Sequence, residues 1–233
     1  ARHYTFKDLG LENWARKNRL SPNKIAIYIE GKSAVINSAD YGSPQLRRRV
    51  ITGEIIGRSE FSLPAFTHQP LDQTGKLPFY KTLGEIKKSL PRPNSPKSAS
   101  RIIDPNYPSI VIKQSELSDH FYDSGLYECE WRDSKYLKTN HPYMGMMSFP
   151  ENERKPSRTI TATIIRSSRE AIIYKSEYDR TNDGAYRIPT IREAATLMGF
   201  PITYQFKGSM GIKQRLIGNA VCPSVSRAFA GMI

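Results

Sequence analysis

The chain's most suggestive chemistry lies in the stretch "SADYGSPQLRRRV", where Gln45, Arg47 and Arg49 recur at every second position. A β-strand has a period of two, so an extended segment would turn these three side chains to one side and Arg48 and Val50 to the other. Guanidinium groups stay charged and donate in parallel pairs, so the row suits phosphates and a base carbonyl. A solvated basic edge strand is the plainer meaning of the same pattern. The only thiols are Cys129, in "YECEWRD", and Cys222, in "IGNAVCPSV". Cys129 has no adjacent histidine or basic residue and is expected to be a structural thiol. Cys222 stands immediately before a proline, as a nucleophile or as filling near one. Without a CxxC pair and with four scattered histidines, the chain offers neither a disulfide framework nor zinc-ligand spacing, so no metal is expected.

A second candidate surface is "SRTITATIIRSSREAIIY", residues 157–174. Thr159, Thr161 and Thr163 alternate with Ile160, Ala162 and Ile164, which predicts a hairpin with one face packed and the other open to a partner. Its turn would project Arg166 and Arg169, with Ser167 and Ser168 beside them, toward phosphates or guanine edges. A solvated hairpin with incidental charge competes with that reading at each single residue.

The elements that must position these residues are partly readable. Residues 33–57 predict two strands around a Gly-Ser-Pro turn. From 58 to 110 proline breaks the pattern, and 89–101 reads as an extended or mobile loop. In "IPTIREAATLMGFP", Thr190 and Glu193 form a capping box, and Gly199 and Pro201 supply a stop, so a helix spans about 191–198. Pro223 opens a second helix whose apolar face carries Val225, Phe229 and Met232. The glycines of "GSMG", residues 208–211, follow no apolar strand and open no predicted helix, so they do not read as a cofactor loop.

Composition sets the class of partner. With 38% apolar and 10% aromatic residues in 233, the chain can build a packed core. Thirty-five Lys and Arg against 22 Asp and Glu give a formal charge of +13, which favours a polyanion, nucleic acid ahead of a membrane surface. No window approaches the length of a membrane span and no signal peptide opens the chain, so a cytoplasmic location is expected.

Three stretches, "NSADYGSPQLRRRV", "RIPTIREAATLMGFP" and "RLIGNAVCPSV", together resemble in order the last three conserved blocks of DNA cytosine-5 methyltransferases. The first block's Gln-x-Arg-x-Arg is met by Gln45, Arg47 and Arg49; the second, Arg-x-x-Thr-x-Arg-Glu, by Arg187, Thr190, Arg192 and Glu193; the third by Gly218, Asn219, Ala220 and Val221. The resemblance implies an α/β fold: the C-terminal portion of an S-adenosylmethionine-dependent sheet domain plus an irregular target recognition lobe. Residues 1–57 would hold terminal strands of the catalytic domain, 58–186 the recognition domain, and 187–233 a bracing helix and a cofactor-side block. It implies methyl transfer from S-adenosyl-L-methionine to carbon 5 of an extruded cytosine in duplex DNA, by a covalent route through a cysteine, within a restriction-modification system. Gln45, Arg47 and Arg49 would serve the cytosine pocket and the backbone; Asn219, Ala220 and Val221 the cofactor; Thr161, Thr163, Arg166, Ser167 and Arg169 the DNA; Arg187, Thr190, Arg192 and Glu193 the architecture. The family's nucleophile follows its proline, in a loop upstream of these blocks. Cys222 precedes its proline and belongs to the last block, so it is a space-filler. The chain is therefore expected to be a C-terminal fragment, or a split-enzyme subunit, that needs an N-terminal catalytic part. The rival expectation is a non-catalytic, sequence-specific DNA-binding protein derived from such enzymes.

Overall fold

The computed structural model describes residues 3–28, 33–53, 62–177 and 185–232. Two units emerge, one comprising residues 1–37, 48–65 and 228–233, the other 38–47 and 66–227. The end of the predicted hairpin, 54–57, and the boundary drawn at 57 and 58 lie outside the described residues.

In the smaller unit β1 (His3–Thr5), α1 (Glu12–Lys17) and β2 (Ile25–Tyr28) precede the predicted hairpin of β3 (Ser33–Asn37) and β4 (Arg48–Thr52). β1 pairs antiparallel with β2, and Phe6 stacks on Trp14 at 5.4 Å. β3 and β4 pair antiparallel from Ser33 opposite Thr52 to Asn37 opposite Arg48, as the β-branched residues of both segments favour. Their central valines, Val35 and Val50, face each other across the ladder and are 59% and 68% exposed. A 3-10 turn, Ser38–Tyr41, and Gly42 follow β3 in sequence and belong to the larger unit. Gly42 has φ +85°, and a Cβ there would stand 2.5 Å from the His68 ring, so only glycine fits.

The larger unit holds α2 (Leu83–Ser89), β5 (Arg101–Ile103), β6 (Val111–Lys113), α3 (Glu128–Thr139), β7 (Tyr174–Lys175), β8 (Tyr186–Arg187), α4 (Ile191–Met198), α5 (Met210–Asn219) and the first turn of α6 (Pro223–Ala230). β5 pairs with β6 and β7 with β8, both antiparallel. The fold among the described residues is thus a mixture of helices and two-stranded sheets. α4 is its centre, since all eight residues are buried. The helix begins and ends where its sequence predicts: Thr190 Oγ1 accepts the Glu193 N–H at 3.1 Å, Glu193 Oε2 accepts the Thr190 N–H at 2.8 Å, and Gly199 turns left-handed at φ +93°. Leu90, Ile102, Leu117 and Ile202 form one apolar cluster, and Leu126, Ala171 and Ile173 another, with Trp131 and Tyr186 against it.

Two expectations about secondary structure are corrected. Residues 157–174 form no hairpin; only Tyr174 enters a strand, and Ser157 makes an isolated parallel bridge to Gln45. The cause is competition by side chains for backbone groups that a ladder would need. Gln45 Oε1 accepts the Ile160 N–H at 2.7 Å, Gln214 Nε2 donates to the Thr161 carbonyl at 2.7 Å, and the Thr161 hydroxyl donates to the Thr163 carbonyl at 2.6 Å. The "GSMG" stretch does open a helix, because Ser209 N-caps α5. Gly208 turns at φ +105° just before it, but no strand leads in.

Candidate functional site

β4 begins only at Arg48, so the period-two argument does not reach Gln45 or Arg47. Both are buried, at 0% and 5% exposure, and act as a clamp inside the larger unit. Arg47 Nη1 donates to the Ile160 carbonyl at 3.1 Å and Nη2 to the Gly218 carbonyl at 2.7 Å. Gln45 takes the Ile160 N–H and turns its amide nitrogen to Met198 Sδ at 3.2 Å. One fork therefore fastens segment 160–163 to the C-terminal end of α5. Gly218 completes the fit, since a Cβ there would lie 2.3 Å from the Ala162 nitrogen. Arg49, on β4, is exposed and donates to the carbonyl of its neighbour Arg48 at 2.7 Å. Of the three, Arg49 alone presents its guanidinium to solvent.

The block around α4 is architectural, as its capping residues suggest. Arg187 and Glu193, 1% and 2% exposed, form a bidentate pair at 2.7 and 2.8 Å, and Glu177 adds a bond of 2.6 Å to Arg187 Nε. Burial acts to lower the Arg187 pKa, but Glu193 and Glu177 outweigh it and hold the group above its ordinary value. Arg192 is buried and, among the described residues, forms no ion pair; it donates to the Ser118 carbonyl at 3.1 Å and the Ser118 hydroxyl at 2.8 Å. Thr190 reaches further than its cap. Its hydroxyl donates to His120 Nδ1 at 2.9 Å, while His120 Nε2 donates to the Pro91 carbonyl at 2.6 Å. Burial, the largest cause, pushes the His120 pKa down.

The residues expected to meet DNA are dispersed in role. Thr163 is exposed, Thr161 and Ser167 are half-buried, and Thr161 is held by Gln214. Arg166 is half-buried, with long bonds of 3.3 Å to the Gly125 carbonyl and 3.4 Å to Glu130. Arg169 corrects the expectation of a projecting turn residue. The residue is 7% exposed, and its guanidinium donates to the carbonyls of Leu137 at 2.7 Å and Gly145 at 2.5 Å. It braces the loop after α3, whose Tyr143 and Met146 are 93% and 83% exposed. The same loop is anchored from below by buried Lys138, which donates to Glu151 at 2.9 Å and the Ala171 carbonyl at 2.6 Å. None of these braces has a local sequence signal.

Between α5 and α6 the chain presents Asn219 and Val221 outward, Val221 with 60% exposure, and Ala220 half-buried. Cys222 turns inward, 2% exposed, with Met198 Sδ at 3.4 Å and the Ser43 hydroxyl at 3.6 Å from its sulfur. It fills space, as expected. Cys129 is exposed on α3, which corrects its reading as a structural thiol. Gln214 and Gly218 were not singled out by type or spacing; for Gly218 the signal available was its place in Gly-Asn-Ala-Val.

The clamp joins the first and third of the three blocks, and this basic chain matches a known family along most of its length. It belongs to the C-5 cytosine-specific DNA methylases, whose sequence model covers residues 28–233. Among curated relatives it is 25% identical over 210 residues to the type II methyltransferase M1.HphI of Haemophilus parahaemolyticus, a match covering 85% of this chain and 46% of the relative. It is 28% identical over 199 residues to the type II methyltransferase M.NgoFVII of Neisseria gonorrhoeae, covering 81% and 46%. A shorter match, 37% over 78 residues, links 34% of the chain to 16% of the type II methyltransferase M.AgeI of Thalassovita gelatinovora. The chain thus spans a little under half the length of the first two relatives. No helix among the described residues is long and apolar enough to cross a membrane.

Proposed function

We propose that this chain is the target-recognition and cofactor-side part of a DNA cytosine-5 methyltransferase of the restriction-modification type, acting on duplex DNA. The observation that carries the proposal is the Arg47 clamp, which brings the Gln-x-Arg-x-Arg block, the 160–163 segment and the Gly-Asn-Ala-Val block into one structure. The family supplies the chemistry and the +13 charge supplies the attraction to DNA. Residues 58–186 would form the recognition lobe, with α4 and its Arg187–Glu193 pair as its brace.

In this reading Arg49 serves the target nucleotide, since it is exposed and keeps a charged fork. Gln45 and Arg47 act through the backbone they hold. S-adenosylmethionine, the family's methyl donor, would supply the transferred methyl group. The outward amide of Asn219 and the uncovered side chain of Val221 fit one wall of its site, a polar contact beside an apolar one. Neither thiol is placed as the nucleophile: Cys222 is sealed among Met198, Gln45 and Ser43, and Cys129 stands open on α3. The attacking cysteine would come from an N-terminal part of the enzyme. The exposed Val35–Val50 pair of the β3–β4 hairpin gives such a part an apolar strip to cover.

The test is transfer of labelled methyl from S-adenosylmethionine to duplex DNA. The chain alone should incorporate none, and the chain co-expressed with the upstream, proline-cysteine-bearing part should methylate cytosine. Arg49→Ala in that complex should slow single-turnover methylation with little change in duplex affinity. Methylation by the pure chain alone, or none by the complex despite sequence-selective binding, would overturn the proposal; the second result would favour a non-catalytic specificity protein.

A further inference from the structure

Within the larger unit, α5 and segment 162–166 line an open cavity of about 580 Å3. Its apolar walls come from Ile164, Ile188, Pro189 and Met210, and two guanidinium groups, Arg166 and Arg215, also line it. Gln214 sits in the same lining and is 5% exposed. Its Nε2 donates to the Thr161 carbonyl at 2.7 Å, and because a carbonyl can only accept, that bond fixes which end of the amide carries the oxygen. Gln214 Oε1 is left buried with no hydrogen-bond partner among the described residues. Such an acceptor is rare in a folded chain and calls for a donor. Arg215 is exposed on α5 and has no charged partner among the described residues. Among the described residues Arg166 makes two long bonds, to the Gly125 carbonyl and Glu130.

Apolar side chains, a buried acceptor and two cations, beside the Asp123 carboxylate, match a base pair's groove edge: an amino group on that edge and a flanking phosphate. The wall is also rigid, since Gly218 seats α5 directly on Ala162 and Arg47 ties Ile160 to Gly218. We infer that this cavity reads one base of the duplex substrate through an amino group donated to Gln214 Oε1, with Arg215 on a flanking phosphate. The inference rests on the proposal that the chain acts on duplex DNA. Thymine is excluded at the position read, because in either groove it offers acceptors and a methyl group but no donor. A second, smaller space of about 20 Å3 also reaches Gln214, which is room for one water. A water there would satisfy the acceptor without conferring any selectivity, and this is the rival the experiment addresses.

The test is selection of duplexes from a randomised library by the full chain, followed by affinity measurements on the winning sequence across a salt series. The parent should show a position that rejects thymine by about tenfold or more. Gln214→Leu should lose the preference there and keep it elsewhere. Arg215→Ala should weaken all duplexes alike and make the slope of log affinity against log salt shallower by about 0.9. A duplex whose base analogue lacks the amino group at that position should bind the parent about tenfold more weakly and Gln214→Leu no worse than the intact duplex does. A folded Gln214→Leu that selects the parent's sequence unchanged would overturn the inference and leave the proposed function standing. Should Gln214→Leu fail to fold, the amino-deleted duplexes decide with the parent alone, and unchanged affinity at every position overturns it. A parent that binds no duplex would refute the proposed function itself, and this inference with it.

Discussion

Gly218→Ala sets two effects of opposite sign against each other. Gly218 is the last but one residue of α5, where alanine is favoured over glycine by up to about 1 kcal/mol on helix propensity. Against this, the new Cβ would stand 2.3 Å from the Ala162 nitrogen and 2.4 Å from its Cα, where about 3.5 Å is the least that carbon contacts tolerate comfortably. Something must move by roughly 1 Å, and the neighbours are backbone. They are also pinned, because the Thr161 carbonyl is held by Gln214 and both Ile160 backbone groups are held by Arg47 and Gln45. Overpacking costs about 1–3 kcal/mol, and loosening the bonds of a charged Arg47 adds about 1.5–3. The net expectation is a loss of about 1.5–5 kcal/mol, read as a lower urea midpoint at unchanged m-value. Gly211→Ala is the control: it lies in the same helix with nothing within 4 Å of its added Cβ, so it should be neutral or stabilising. If Gly218→Ala were as stable as Gly211→Ala, the close approach of α5 to segment 161–162 would not exist and the clamp argument would fall.

Arg187→Met should destabilise the chain by about 3–5 kcal/mol, because Glu193 would stay buried without its partner; equal loss on Glu193→Gln in the same urea titration would show that the pair acts as a unit. Stability should fall with pH on the acid side of neutrality. Burial holds the His120 pKa below its ordinary value of about 6.5, so the unfolded chain takes up the proton first; its contribution is complete above that value and declines as pH falls toward the folded pKa, at up to about 1.4 kcal/mol per pH unit. Burial lowers His68 as well, so His120→Gln should flatten only part of a pH series of thermal midpoints. Cys222→Ala should cost about 1 kcal/mol and leave methylation by the complete enzyme intact, whereas loss of activity in a folded, cofactor-binding variant would contradict its placement as filling.

How far each element could be read from the sequence follows from where its backbone groups find partners. α4 was legible because both ends are closed by residues inside it or next to it, Thr190, Glu193 and Gly199. α2 carried the same kind of signal in Thr82 and Glu85, whose side chains form a full capping box, and α5 carried Ser209. The segment 157–174 was misread because its alternation is real but its backbone partners are not local. Gln45 and Gln214, 115 and 53 residues from the groups they hold, take the N–H and carbonyl that a hairpin would have used. Arg169 illustrates the same limit at a side chain, since three carbonyls that close around it lie 24 to 32 residues away. Charge alone gives no hint of whether such an arginine faces solvent or a buried loop.

The onset of β4 at Arg48 explains why one motif can divide its labour. Up to Arg47 the segment is irregular, with Gln45 and Arg47 buried, and the Arg47 guanidinium donates to the carbonyls of Ile160, Gly218 and Ala220. To touch a phosphate, Arg47 would have to release the Ile160 and Gly218 carbonyls, each a charge-assisted bond worth about 1.5–3 kcal/mol, and leave buried acceptors behind. Arg49 faces no such cost, because among the described residues its bond is to the carbonyl of exposed Arg48. A substrate group can therefore recruit Arg49 without disturbing the fold. The same substrate would sense Arg47 only through the position of segment 160–163 and of the Gly-Asn-Ala-Val turn, which that guanidinium holds together. If DNA reading and the cofactor side lie where we propose, coupling between them would run through the Arg47 guanidinium rather than through a shared ligand.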